Sequence, residues 1–269
     1  MKRLAFVGSW LLITLCGAVR ADNNLLNSVR TKDGQAIGYS LSSYSNDDSD
    51  SSFKAFNFGI AYQGIKALGG EKFVVFDVDY ATGPDSYSGS RGDLVIPKYY
   101  YSLKLSIGKD FFYDTYVLSP YIGLGYRFLS QSGSGLFTST GKYFYDRQST
   151  YNYIPLGLKR RIALTDGATL ETTIEYDYLI SGNQYNGMAA AINGGGISDA
   201  ININNKQNSG YGLNASLMYR RSDGWSFGPY WKYWNIDASE SASYSSTVQA
   251  VSEGANTTEE FGIRAMYKF

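Results

Sequence analysis

The chain has 269 residues with 24 basic and 24 acidic side chains, so it offers no basic surface for nucleic acid. It contains no histidine, which excludes Ser-His-Asp and Cys-His catalytic groups and histidine-based zinc sites. Tyrosine (25) and glycine (30) far outnumber proline (5), and this bias favours strands and turns over helices.

The first element in the chain is an export signal. A basic pair, Lys2-Arg3, precedes an apolar run at 4–16, and small residues suitable for cleavage follow. This order is typical of a secretory signal peptide, and the run is too short to span about 30 Å of hydrocarbon. We therefore predict a signal peptide over 1–21, whose removal leaves no cysteine and hence no disulfide. The alternative is a lipoprotein signal modified at Cys16, although Leu15 stands where such signals usually carry a small residue.

Ten segments show the period-2 alternation of a strand over about ten residues, the length that a tilted strand needs to cross a bilayer. In the seventh segment, for example, Ile174 alternates with Glu175. The phase of the ninth is open, because Trp225, Trp231 and Trp234 cannot all share a face. The predicted strands lie near 35–44, 53–63, 72–80, 98–108, 122–128, 151–162, 170–180, 210–220, 225–236 and 261–269.

The links between these strands alternate in length. Short and long links take turns along the chain, which is typical of a bacterial barrel with short periplasmic turns and long outer loops. This arrangement places both chain ends on one side, with 22–34 as a short N-terminal periplasmic segment and 35–269 as the barrel. The short links are 64–71, 109–115, 163–169 and 221–224, and the long, polar ones are 45–52, 81–97, 129–150, 181–209 and 237–258.

The last segment shows the clearest alternation, and its outward set ends on an aromatic residue: Phe261, Ile263, Ala265, Tyr267 and Phe269. Here the sequence resembles the Gram-negative outer-membrane β-barrel superfamily, in which a final strand of this kind is the signal for the barrel assembly machinery. The resemblance implies an all-β fold, a transmembrane antiparallel up-and-down β-barrel of about ten strands, with eight or twelve as alternatives. It also implies location in the cell outer membrane, with outer-membrane lipid and lipopolysaccharide as neighbours.

A soluble β-sandwich is the alternative fold, since its strands also alternate. Aromatic residues at the ends of many segments, such as Tyr39, Tyr80 and Tyr178, instead fit the two interfacial girdles of a membrane barrel. The mean hydropathy of −0.26 does not oppose a barrel, because polar residues facing the lumen offset the apolar residues facing lipid.

Charged side chains occupy the inward face of the predicted strands. Barrels of about eight strands are filled by their own side chains, so ten strands favour an interlocked interior in which charges pair to limit their desolvation. Pairs are expected between neighbouring strands: Glu171 with Lys159, Arg161 or Arg220, and both Asp77 and Asp79 with Lys104. The predicted lumen charge network consists of Asp77, Asp79, Lys104, Arg127, Lys159, Arg161, Glu171, Glu175, Asp177, Arg220 and Arg264.

Catalysis by a carboxylate pair is the enzymatic alternative, because Glu171, Glu175 and Asp177 share one face of one strand. We favour their interpretation as paired lumen charges. Barrel branches that are proteases, phospholipases or lipid A deacylases rely on a histidine, so the resemblance to those branches fails. We therefore predict no enzyme, no catalytic residue, no cofactor and no metal site, and we interpret the acidic run 46–50 and the glycines 194–196 as loop residues.

Two classes of function remain. The first is a non-enzymatic surface protein, in which the barrel is an anchor and the long loops serve adhesion to a host or cell-surface ligand, or envelope structure. The second is a narrow, porin-like passive diffusion pore for ions or small solutes. The long loops and an expected filled lumen favour the first class, while the charged inner faces keep the second open.

Overall fold

The computed structural model describes residues 29–48, 51–164, 167–190, 201–243 and 250–269. The predicted signal peptide, most of the segment 22–34 and the glycines 194–196 lie outside the described residues. No helix in the described part is long and apolar enough to cross a membrane. The described strands are β1 (Gly34–Asp47), β2 (Ser51–Gly69), β3 (Lys72–Gly89), β4 (Gly92–Lys109), β5 (Phe111–Phe112), β6 (Val117–Gln131), β7 (Arg147–Ala163), β8 (Thr169–Asn186), β9 (Ile203–Gln207), β10 (Gly210–Arg220), β11 (Trp225–Ile236), β12 (Ala242–Ser243), β13 (Ala250–Val251) and β14 (Asn256–Lys268).

Ten of these strands form one closed antiparallel barrel. Each barrel strand pairs with its neighbours along the chain, in the order β1, β2, β3, β4, β6, β7, β8, β10, β11 and β14. The first and last strands close the barrel, with a register that runs from Ala36 opposite Lys268 to Asp47 opposite Thr257. The prediction of an all-β antiparallel barrel of about ten strands is therefore confirmed.

The two ends of the barrel differ. At one end, which we call the short-turn end, β2 and β3 are joined by a turn with positive φ at both Gly70 (55°) and Glu71 (66°), as a tight hairpin turn requires. Both described chain termini lie at this end, where the backbone N–H of Phe269 donates to the carbonyl of Gln35 at 2.9 Å. The opposite end, where β6 ends at Gln131, β8 at Asn186 and β11 at Ile236, is the long-loop end.

Several strands continue far beyond a membrane-spanning length at the long-loop end. β2 has 19 residues and β3, β4 and β8 have 18 each, whereas roughly 9–11 suffice to cross a bilayer. The prediction of a loop at 81–97 is wrong, because β3 and β4 remain paired up to Gly89 and Gly92. The predicted loop at 45–52 is likewise mostly strand, and β9 extends the sheet beside β8 within the predicted loop 181–209. These extensions enclose a small buried cluster of Phe53, Tyr87, Ile96 and Phe144.

The outer face of the barrel carries a continuous apolar belt. Ring pairs between neighbouring strands, such as Tyr99 with Phe128 and Tyr176 with Tyr211, lie on this face. Exposed apolar surface of this extent indicates contact with something other than water, and on a closed barrel this is membrane lipid. Exposed members of the belt include Ile37, Leu41, Phe58, Leu103, Leu105, Ile107, Ile122, Leu124, Leu156, Leu158, Ile174, Ile180, Phe261 and Ile263.

Candidate functional site: the barrel lumen

The lumen is crossed toward the long-loop end by a group of buried rings and aliphatic side chains. The Trp234 ring stacks on Tyr151 at 6.1 Å between centroids and meets Tyr153 edge-on at 5.1 Å. The open phase of β11 is thereby settled: Trp225 and Trp231 face outward and Trp234 faces inward. We call this group the aromatic layer; its members are Tyr151, Tyr153, Leu179, Trp234 and Ile236.

Arg127 lies against the aromatic layer. Its guanidinium carbon is 5.4 Å from the Trp234 ring centroid and 5.8 Å from that of Tyr100. Within the described chain, Arg127 forms no ion pair, so contact with ring faces takes the place of a carboxylate partner.

Below the aromatic layer, a lysine and a glutamate meet across the lumen. Lys104 Nζ lies 2.7 Å and 2.9 Å from the two carboxylate oxygens of Glu175, and Tyr121 donates its hydroxyl hydrogen to Glu175 at 2.6 Å. Asp77 faces Lys104 in the strand register, as expected, but its carboxylate is 3.9 Å from the ammonium. The closer partner of Lys104 is therefore on β8, on another part of the barrel wall.

Asp79 does not pair with Lys104, contrary to expectation. Its register partner on β4 is Ser102, and its carboxylate instead reaches Arg264 Nη2 at 2.7 Å and Lys232 Nζ at 3.1 Å. Lys232 was not predicted because the phase of β11 was open. We call the central group the charged layer; its members are Asp77, Asp79, Lys104, Glu175, Lys232 and Arg264.

Two further carboxylates lie between the layers. Glu260 accepts hydrogen bonds from Tyr100 at 2.5 Å and from Tyr230 at 2.6 Å. It was missed because the last strand was predicted to begin at 261, whereas β14 begins at Asn256. Asp177 accepts a hydrogen bond from Asn214 at 2.6 Å, while its second oxygen is buried and has no hydrogen-bond partner among the described residues.

The remaining predicted charges lie toward the short-turn end. Glu171 pairs with Arg220 at 2.7 Å, one of its three expected partners. Arg161 pairs instead with Asp110 at 2.6 Å, a residue that was missed because it falls in the predicted link 109–115. Lys159 forms no ion pair with a described residue, and its nearest aromatic contact is the Tyr121 ring, 5.7 Å from the ammonium.

A buried pair that the sequence did not indicate lies in the strand extensions. Lys98 and Asp85 side chains are fully buried with 3.7 Å between their charged atoms. Gln131 donates to Asp85 at 2.7 Å, and Lys98 Nζ lies 3.2 Å from the centre of the Tyr44 ring. Asp85 was missed because 81–97 was predicted as a loop.

Two cavities lie in the lumen, on either side of the charged layer. A central cavity of about 130 Å³ lies between the aromatic and charged layers and is lined mainly by ionisable and aromatic side chains. A larger short-turn cavity of about 420 Å³ lies on the other side of the charged layer. Eight residues line both cavities, and four of them belong to the charged layer: Asp77, Asp79, Lys104 and Arg264.

Glycines on the inward face allow the tyrosine rings to lie flat across the wall. A Cβ at Gly157 would overlap the Tyr121 ring, and a Cβ at Gly125 would overlap the Tyr153 ring. Both tyrosines therefore depend on a glycine on the neighbouring strand for their position. In the described ranges, no three or more Asp, Glu, His or Cys side chains come together in a group that could hold a metal ion.

Comparison with known proteins supports the fold. No protein-family model and no curated protein sequence matches the chain. The outer membrane protease OmpT from Escherichia coli superposes with a TM-score of 0.56 at 12% identity, covering 89% of this chain and 98% of that one. The translocator domain of the autotransporter NalP from Neisseria meningitidis (TM-score 0.45, 11% identity, 90% of each chain) and Neisserial surface protein A (0.35, 12%, 87% of this chain and 97% of that one) are also similar. Together with ten-strand closure and the apolar belt, the OmpT superposition shows that this chain has the outer-membrane β-barrel fold.

Proposed function

We propose that this chain is a non-enzymatic outer-membrane protein, whose closed barrel anchors a binding surface at the long-loop end. The observation that carries the proposal is that the aromatic and charged layers both cross the lumen. The short-turn end faces the periplasm and the long-loop end faces outward, following the usual arrangement of bacterial barrels.

Hydrogen bonds between the strand extensions and the loops support a binding role for the long-loop end. Ser139 N–H donates to the carbonyl of Asp93 at 2.9 Å, which ties the 132–146 connection to the β3–β4 hairpin. Arg147 and Asn186 reach Glu253 at 2.9 Å and 2.5 Å, which ties the region before β14 to β7 and β8. A preorganised surface of this kind loses little conformational entropy on binding, which suits adhesion to a host or cell-surface ligand.

The carboxylates that allowed a catalytic interpretation support a structural role. Glu171 and Glu175 are ion-paired, and Asp177 lies in the central cavity between the two layers. The aromatic layer lies between the central cavity and the long-loop end, so it separates Glu175 and Asp177 from ligands at the loops. With no histidine in the chain, a surface-binding role fits these residues better than catalysis.

The membrane placement is tested by fractionation. We expect the mature protein in the outer-membrane fraction, with different gel mobility before and after boiling, because a closed barrel resists unfolding by detergent. Recovery of the protein as a soluble periplasmic species would contradict the placement.

The closed lumen is tested by planar-bilayer recording. We expect no stepwise conductance from the wild-type barrel, and measurable steps when Trp234→Ala and Tyr151→Ala together remove the centre of the aromatic layer. The matched control is Trp231→Ala, which removes a tryptophan from the outward face and should leave the lumen closed. Ion-selective current from the wild-type protein would instead favour the narrow diffusion pore.

A further inference from the structure

The described chain begins with a segment that lies across the short-turn end. Val29 is buried there, and Thr31 is bound to Asp110 by two hydrogen bonds, from its backbone N–H at 2.6 Å and from its hydroxyl at 2.9 Å. Arg30 and Lys32, on either side of Thr31, both line the short-turn cavity. The segment therefore adds two cations to the mouth of this cavity.

The short-turn cavity has an excess of positive charge. Nine basic and three acidic side chains line it, and three of the basic ones (Lys104, Arg161 and Arg221) pair with carboxylates outside the lining. Two of the acids, Asp79 and Glu171, are already held by Arg264 and Arg220. Four of the basic side chains form no ion pair with any described residue: Arg30, Lys32, Lys159 and Lys268.

Two arginines in the cavity wall are fixed and still have donors to spare. Asp110 holds Arg161 and Glu171 holds Arg220, so both guanidinium groups are positioned before any ligand arrives. The Nε atom of each is buried and forms no hydrogen bond with a described residue, so a ligand is reached by the terminal N–H groups, and the Arg220 side chain is 30% exposed. Guanidinium groups bind phosphate and carboxylate oxygens strongly through their forked donors.

We propose that the short-turn cavity binds a small soluble polyanion, with two or more negative charges on phosphate or carboxylate oxygens. The volume of about 420 Å³ lies within the usual range of small-molecule sites. Its walls are the inward faces of barrel strands, so the ligand enters from solvent at the short-turn end and not from the lipid. The proposal goes beyond the surface function and does not depend on it.

The test is isothermal titration of the purified, folded mature protein in a non-ionic detergent. Inorganic pyrophosphate represents phosphate ligands, citrate represents carboxylate ligands, and acetate is the monovalent control. We expect saturable binding of at least one polyanion, weakened by added salt, and much weaker binding of acetate. Tighter binding of pyrophosphate points to a phosphate ligand, and tighter binding of citrate to a polycarboxylate.

Two double variants locate the site. Lys159→Gln with Lys268→Gln removes two unpaired cations from the barrel wall, and we expect about tenfold weaker binding. Arg30→Gln with Lys32→Gln removes two cations outside the barrel, so it tests the same site without altering the strands. The control, Lys142→Gln, removes an exposed lysine at the long-loop end and should leave the affinity unchanged.

Three outcomes would overturn the proposal: no saturable binding by the wild type, unchanged affinity in both double variants, or an equal loss in the Lys142 variant. Gel mobility without boiling shows whether each variant is folded. The titration is independent of the conductance recording, so an open pore would contradict the closed anchor and leave the binding result standing.

Discussion

Replacing Lys104 by methionine is expected to lower the free energy of unfolding by roughly 3–5 kcal/mol, because the change leaves a buried carboxylate without its ion-pair partner. The Glu175 side chain is only 4% exposed, and Lys104 contacts both of its oxygens. Hydrogen bonds from Tyr121 and Asn214 remain, but they do not supply a positive charge. Methionine keeps the unbranched apolar stem, so little of the loss comes from packing. Urea unfolding of the purified barrel, followed by tryptophan fluorescence, measures the effect.

The matched control is Lys66→Met. Lys66 pairs with Asp33 at 2.5 Å, but the two side chains are 69% and 53% exposed. Hydrogen bonds from Lys66 and from the Ala67 backbone lower the pKa of Asp33. Solvent screening leaves such a pair little net effect, so we expect no measurable change in stability.

A double variant separates charge from packing. Lys104→Met combined with Glu175→Gln removes both charges, and it should recover much of the stability lost in the single variant, since the cost arises from one unpaired charge. If Lys104→Met alone is as stable as the wild type, the charged layer is hydrated and does not hold the lumen closed.

The sequence predicts contacts between adjacent strands better than contacts across the lumen. Asp77 opposite Lys104 follows from two neighbouring strands and a short turn, and the register shows this pairing. Asp79 with Arg264 joins β3 to β14, which are not neighbours in the wall. Which side chains meet across a barrel depends on strand tilt and shear, and alternation along one strand carries no information about these.

The strand extensions show a second limit of the sequence pattern. Beyond the apolar belt, outward-facing side chains no longer contact lipid and need not be apolar. The segment 81–97 therefore lacks the alternation of apolar outward and polar inward residues that marks a membrane-spanning strand. The inward positions still alternate, since Asp85, Tyr87 and Ile96 are all buried. Asp85 and its partner Lys98 could therefore be found only once the extension of β3 and β4 was known.

Replacing Phe269 by aspartate is expected to remove most of the assembled protein from the outer membrane. In the superfamily that the last strand resembles, a terminal strand ending on an aromatic residue is the assembly signal. In this barrel, Phe261, Ile263, Ala265 and Tyr267 face outward on β14, the strand that completes closure, and Phe269 follows directly after its last residue and is exposed. The amount of heat-modifiable protein in isolated outer membranes, measured by immunoblot, gives the result.

A lower stability of the folded barrel would not account for the loss of Phe269→Asp protein from the membrane. The experiment therefore distinguishes an assembly defect from a folding defect. Phe269 is 66% exposed at the short-turn end, and a charge on the lipid face near the interface costs only about 0–1 kcal/mol. The purified variant should therefore refold in detergent nearly as well as the wild type. The control, Phe111→Asp, adds the same charge at another exposed aromatic at this end, outside the last strand, and should assemble normally. If only Phe269→Asp is depleted from the outer membrane, and it refolds normally in detergent, the cause is recognition by the assembly machinery. Normal membrane levels of this variant would show that the final aromatic residue is not an assembly signal in this chain.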